Sequence, residues 1–302
     1  MTAFLGELGK KLAERSVTLL VLPGLLWVAT VAIAARLGHR HALDPYRLST
    51  WVDEFVKSTG SQTTRIVAVT AGILGFAAAT GLAASWIGRL VERLWIIPGQ
   101  RLPARWLTNA RRKRWNTAHE KVAAAARAAL SDGAVSAHAP DLAAATNACR
   151  KISPVPADRP TWIGDRLRGL DIRVSARYRI DLSAVWARLW FTLPDDARTE
   201  LSAAHDSYTG AARLFGWATL YLVVGVWWWP AVVIATAAAT AAWLQARSAT
   251  ATLADLAEAA VDLYGAELAR KLGLNCPDRL TPALGEEMTK LLRKDETLNP
   301  PA

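Results

Sequence analysis

Residues 221–244 read YLVVGVWWWPAVVIATAAATAAWL, inside a charge-free run of 33 residues from Leu214 to Ala246. One membrane crossing takes about 20 apolar residues and two take nearer 40, so the run is either one bent passage or a tight hairpin. Trp227, Trp228 and Trp229 stand near its middle, followed by Pro230. In a single passage the three indoles lie at mid-bilayer, whereas tryptophan prefers the headgroup level. A hairpin puts them at the outer interface and lets Pro230 open the returning helix, where its missing N–H leaves no bond unmade. Each arm is then about 16 residues, roughly 24 Å long, and reaches full length if Arg213 and Arg247 snorkel. The stretch therefore reads as two short crossings, which return the C-terminal tail to the side from which the chain entered.

Two further apolar runs extend this reading. Val17 to Ala35 is apolar for 19 positions and ends at Arg36-Leu37-Gly38-His39 with no small-residue cleavage motif, so a retained first span is expected rather than a cleaved leader. Pro23-Gly24 inside it predicts a kink. Ile66 to Gly88 is charge-free for 23 residues, long enough to cross with some tilt. Ala77, Gly81 and Ser85 recur every four residues in it, as do Ala231, Ala235 and Ala239 in the hairpin, and small residues at that spacing let helices approach closely. The expected fold is all-α: an integral membrane protein with four transmembrane helices arranged as two hairpins.

Flanking charge sets the orientation. The loop 37–64 holds three basic and three acidic side chains, whereas 89–128 holds ten basic and two acidic. The loop 37–64 is therefore placed outside, and both termini in the cytosol of a bacterial cell. Residues 1–15 read as an amphipathic surface helix, with Phe4, Leu5, Leu8 and Leu12 opposite Lys10, Lys11 and Arg15. The first hairpin takes 16–88 and the second 213–246. Residues 89–130 read as basic juxtamembrane helices broken by Pro98 and Pro103. Four prolines make 131–160 a connector with little regular structure. Two helical pieces split at Leu193-Pro194 occupy 161–212, and 247–302 is a helical tail that continues the fourth span and breaks after Gly273.

The net charge of +10 admits nucleic acid or anionic lipid as a partner. Arg111, Arg112, Lys113 and Arg114 follow directly on a span, as do Arg89 and Arg93. These six, with Trp227, Trp228 and Trp229, are assigned to lipid headgroups in preference to nucleic acid. His39 and His41 near Asp44 make a poor metal site, since Arg40 between them repels a cation. His205-Asp206 are neighbours on a helix and point to different faces, so they form no relay. Cys149 and Cys276 are far apart and read as reduced thiols. No nucleophile elbow, metal-ligand pair or phosphate loop is present, which lowers the expectation of an enzyme, and no cofactor is implied. The spans contain no ionisable residue, which weighs against a coupled transporter.

Residues 160–194, PTWIGDRLRGLDIRVSARYRIDLSAVWARLWFTLP, carry a resemblance. The stretch resembles an uncharacterised family of bacterial multi-pass membrane proteins with the pattern PTxxGN, a spacer, then RYGxDxxxxWPRLxxxLP. Pro160, Thr161, Gly164, Arg177, Tyr178, Asp181, Trp186, Arg188, Leu189, Leu193 and Pro194 match. Asp165 stands in place of asparagine, Arg179 of glycine and Ala187 of proline. Downstream, Asp262, Leu263 and Tyr264 also match. The resemblance implies a topology and no activity. Read from the residues alone, Asp181 is a reasonable N-cap for the helix bearing Trp186. Arg177 and Arg188 are then expected to pair with Asp181 or Asp171, and Tyr178 to bond within the cluster. Arg177, Tyr178, Asp181, Trp186 and Arg188 form either a structural polar cluster or a docking surface.

The functional expectation is a membrane-embedded docking protein that presents cytosolic helices to a soluble protein or a large assembly, such as a contractile injection machine. An effector that forms homo-oligomers and permeabilises the membrane is the alternative, and an unrecognised membrane enzyme is third.

Overall fold

A computed structural model describes residues 21–59, 63–100, 102, 104–131, 135–276 and 279–293. Among them the chain forms ten helices and no strand: α1 (Leu22–Leu37), α2 (Pro45–Thr59), α3 (Thr63–Ile96), α4 (Ala104–Ser131), α5 (Val135–Ile152), α6 (Trp162–Tyr178), α7 (Leu182–Thr192), α8 (Asp195–Val224), α9 (Pro230–Lys271) and α10 (Pro282–Arg293). The surface helix expected over residues 1–15 lies outside the described residues. The chain divides into two compact units, Met1–Glu92 with Thr209–Leu244 and Arg93–Tyr208 with Gln245–Ala302.

In the first unit the backbone reverses at Gly225–Trp229. The Gly225, Trp227 and Trp228 amides donate to carbonyls of the last turn of α8, and Pro230 opens α9. Phe215, Ala218 and Leu222 of α8 face Trp243, Ala239 and Ala235 of α9 along a groove of about 410 Å³, so the two arms run antiparallel. The tip is tied to the turn after α1: the Trp228 indole N–H donates to the Ala42 carbonyl (2.9 Å), and His39 Nδ1 lies 2.5 Å from the Trp227 carbonyl.

Close helix crossings in this unit run through glycine. A Cβ on Gly24 of α1 would lie 2.2 Å from the Ala77 carbonyl oxygen, and one on Gly216 of α8 would lie 2.2 Å from that of Ala84. The buried seam of α3 is Ala77, Thr80, Gly81, Ala84 and Gly88, not the strict four-residue stripe. A helix turns every 3.6 residues, so a stripe of step four drifts off the contact face. Ser85 is only half-buried and bonds back to the Gly81 carbonyl. The same drift leaves Ala231 and Ala235 buried, Ala239 half-buried, and Ala242 next in the seam.

Among the described residues one helical stretch, Ile66–Ile96, is long and apolar enough to cross a membrane, and α1 is apolar but shorter. The charge-free parts of α8 and α9, Leu214–Val224 and Pro230–Ala246, are each shorter than the roughly 20 residues of one crossing. Pro23 stands in the first turn of α1, where a missing N–H is tolerated.

The second unit encloses a core of large side chains, among them Leu170 and Val174 of α6, Val185 and Leu189 of α7, Val261 of α9 and Met288 of α10. The connector expected over 131–160 instead contains the 18-residue helix α5, with Pro140 inside it. Its alanine-rich sequence favours helix, and its packing against α4 offsets the one backbone bond that Pro140 removes. Among the described residues of that stretch, irregular backbone is confined to 153–161. As the sequence implies, α9 runs unbroken from the hairpin to Lys271, and Gly273 (φ 81°) follows it.

Candidate docking groove

The 160–194 stretch begins at an N-cap. Thr161 Oγ1 accepts from the Gly164 amide, which starts α6. Asp165, one residue on, is fully buried. Its Oδ1 accepts from the amides of Asp158 (3.0 Å) and Arg159 (2.9 Å), and its Oδ2 from Arg111 Nη2 (2.8 Å). Arg111 also donates to the Ile152 carbonyl, so one carboxylate ties α4, the irregular 153–161 segment and α6 together. Arg112 turns the same way, onto Asp158 (2.6 Å) and the Ala157 carbonyl.

Arg111 is therefore structural, because a buried carboxylate without a cation is far costlier than an arginine withdrawn from the surface, whereas the Arg112–Asp158 pair is half-exposed. Arg247, expected to snorkel, instead lies over the Trp162 ring (4.5 Å) and donates to the Lys151 carbonyl. Lys113, Arg114 and Arg93 are exposed, and Arg89 stacks on Trp86 (4.6 Å). Trp227 and Trp229 are also exposed.

A row of charge pairs holds α6 against α9. Arg166 pairs with Asp255, Arg173 grips Glu258 in bidentate fashion (2.7–3.1 Å), and Arg177 Nε donates to the Tyr178 hydroxyl, which donates to Asp262 (2.7 Å). Both sets increase in the same direction, so α6 and the polar part of α9 run parallel. Burial raises the Tyr178 hydroxyl above its ordinary pKa, and the bond to Asp262 adds to this, so it remains a donor at neutral pH. Arg177 thus serves Asp262 through Tyr178 and not, as the sequence suggested, Asp181 or Asp171.

The chain then turns at Arg179, which holds φ 54° in the left-handed region. Glycine is the residue that adopts that conformation without a Cβ penalty. Arg179 pairs with Glu286 at the surface (3.2 Å). Asp181 caps α7 through the Ser183 amide and binds Arg293 of α10. Its bonds with Ser183 first, and with Arg293 second, hold its pKa down at about 2. Arg188, expected to reach a carboxylate, donates to the Ala184 carbonyl of its own helix.

Comparison with protein-family models, with curated proteins and with solved structures finds no match to this chain. Its own geometry carries the functional reading.

That geometry centres on α7. Val185, Leu189 and Thr192 face the core. Trp186 and Trp190 form a second stripe one residue further round, their rings 6.3 Å apart. They line a groove of about 780 Å³ with Leu167 and Leu170 of α6, Leu182 of α7, Leu201 of α8 and Leu253 of α9. Asp171, His205 and Asp206 stand at its rim. Of the five cluster residues only Trp186 enters the groove; the others fix helix ends and pairings. The sequence reading weighed Asp171 only as an ion-pair partner and His205-Asp206 only as a relay, and did not bring them to one groove, because α6 and α8 meet only in the folded unit. The usable signal was an α7 with more large apolar residues than one core-facing stripe requires. Among the described residues no group of three or more His, Cys, Asp or Glu side chains is placed to hold a metal ion.

Proposed function

We propose that the chain is a docking protein of the bacterial cytoplasmic membrane. α1, α3 and the two arms of the α8–α9 hairpin cross the bilayer, and both termini are cytosolic. The short arms are accommodated by local thinning of the bilayer. Support comes from the apolar residues that the first unit turns outward, Ile66, Leu74, Phe76, Leu82, Val233 and Ile234 among them, and from the arginine-rich segment after α3.

The observation that carries the docking reading is the Trp186–Trp190 groove. It is concave, mostly apolar and rimmed by a few polar groups, the general character of a recognition site. Its partner is a segment with large apolar anchors and a cation that meets Asp171. A soluble subunit of a large assembly, such as a contractile injection machine, is one such partner.

The test compares wild type with Ser202→Trp, an exposed groove residue whose enlargement fills the site. Co-purification from gently solubilised membranes should recover a stoichiometric soluble partner with wild type and lose it with the variant, at equal membrane levels. A second reading, self-association into a permeabilising oligomer, is favoured by the groove between α8 and α9 that Thr219, Thr236 and Thr240 line. Dye leakage from liposomes caused by the purified wild-type protein alone would establish that reading in place of docking.

A further inference from the structure

The helices α4 and α5 pack as a pair, and residues 104–152 carry nine basic side chains against three acidic ones. Arg111 is folded inward onto Asp165 and Arg112 pairs with Asp158 at the surface, but among the described residues their neighbours have no such partner. Lys113, Arg114 and Lys121 stand along one wall of a groove of about 500 Å³, over a floor that includes Ala118, Ala145 and Ala148. The three cations are exposed, and no carboxylate pairs with them among the described residues. The groove is thus basic on one side and apolar below, and it is separate from the Trp186 groove.

We infer that this groove binds an acidic amphipathic helix of a partner protein. The alanine floor lets a helix backbone come close, as small residues do at helix contacts. Lys113 and Arg114 are adjacent on α4 and Lys121 follows about two turns on, so the cations can meet carboxylates two turns apart on a bound helix. A planar lipid surface cannot enter a recess. Nucleic acid would use aromatic faces to stack bases, yet Trp115 is engaged by His119 (4.7 Å, 10° between planes) and by the Ser153 carbonyl.

The test uses the full chain in phosphatidylcholine nanodiscs and a labelled 18-residue helical peptide of Glu, Ala and Leu. The peptide should bind, and its counterpart with Lys for Glu should not. Lys113→Glu, Arg114→Glu and Lys121→Glu together should weaken binding by about tenfold or more. Ala148→Trp, which fills the groove and keeps every charge, should weaken it comparably. Reversal of three cations outside the groove, Arg105→Glu, Arg127→Glu and Lys271→Glu, should change it by less than about threefold.

No binding of the acidic peptide overturns the inference. So does equal weakening by the two triple reversals, which means unspecific attraction, or indifference to Ala148→Trp. Tighter binding to phosphatidylglycerol vesicles or to a single-stranded oligonucleotide, lost in the groove triple variant, would replace the helix with lipid or nucleic acid.

Discussion

Inside the unit built from α1–α3 and the α8–α9 hairpin, most buried side chains are small: Ala34, Ala77, Ala84, Ala212, Ala218, Ala231 and Ala235. Inside the other unit they include Ile163, Leu170, Ile180, Leu189, Val261 and Met288. The surfaces are exchanged in the same sense, with leucine, isoleucine, valine, phenylalanine and tryptophan outermost on the first. Water drives large apolar side chains inward. Where the surroundings are as apolar as leucine that drive is absent, and helices associate by the close backbone approach that small residues allow. The contrast is the one that two solvents for one chain would produce, and it bears on the proposed crossings more directly than span length does, since three of the four proposed spans are short.

The largest effect is expected where the second unit is most like a water-soluble domain. Asp165→Ala leaves Arg111 without its carboxylate and two amides without an acceptor. It should lower the stability of that unit by about 3–5 kcal/mol in denaturant titration. Asp165→Asn should lower it less, because the amide oxygen still accepts. If the two variants unfold alike, the Asp165 geometry is not what holds α4 to α6.

The comparison itself is tested by one substitution made twice. Val233 of the first unit is 60% exposed and Leu263 of the second 71%. Lysine at Leu263 should change stability by less than about 0.5 kcal/mol. Lysine at Val233, equally free of protein neighbours, should cost about 2.5–3.5 kcal/mol of membrane insertion. Similar small effects at both sites in an insertion assay would mean that water bathes both surfaces.

The smallest effect concerns the corner between α6 and α7. Arg179→Gly relieves a left-handed residue and removes a surface ion pair, terms of about 1–2 and 0–1 kcal/mol. A net gain of about 1 kcal/mol in thermal or chemical unfolding is expected. A loss would show that the pair with Glu286 outweighs the backbone.

Helix ends were legible wherever proline, glycine or an N-cap marks them: Pro230, Gly273, Pro282 and Asp181 all do so in the folded chain. The α5 helix was not, because the penalty of Pro140 is visible in sequence while the α4 surface that compensates it is not. Asp255, Glu258 and Asp262 were recognisable as one charged side of a helix, but nothing local says that Arg166, Arg173 and the Arg177–Tyr178 pair lie opposite. The basic run 111–114 was read as one patch for the same reason. Adjacent residues on a helix point to different faces, so two turn toward Asp158 and Asp165 and two toward a groove. Of the candidate site, Trp186 was visible and its depth was not, because the groove exists only between helices that are distant in sequence.

The short contact between His39 and the Trp227 carbonyl fixes the tautomer of that ring. A carbonyl oxygen only accepts, so Nδ1 is the donor nitrogen and Nε2 the acceptor of the neutral ring. The link between the hairpin tip and the turn after α1 therefore rests on an N–H at this one position, and a side chain without such a donor in place of His39 would leave the Trp227 carbonyl without that partner.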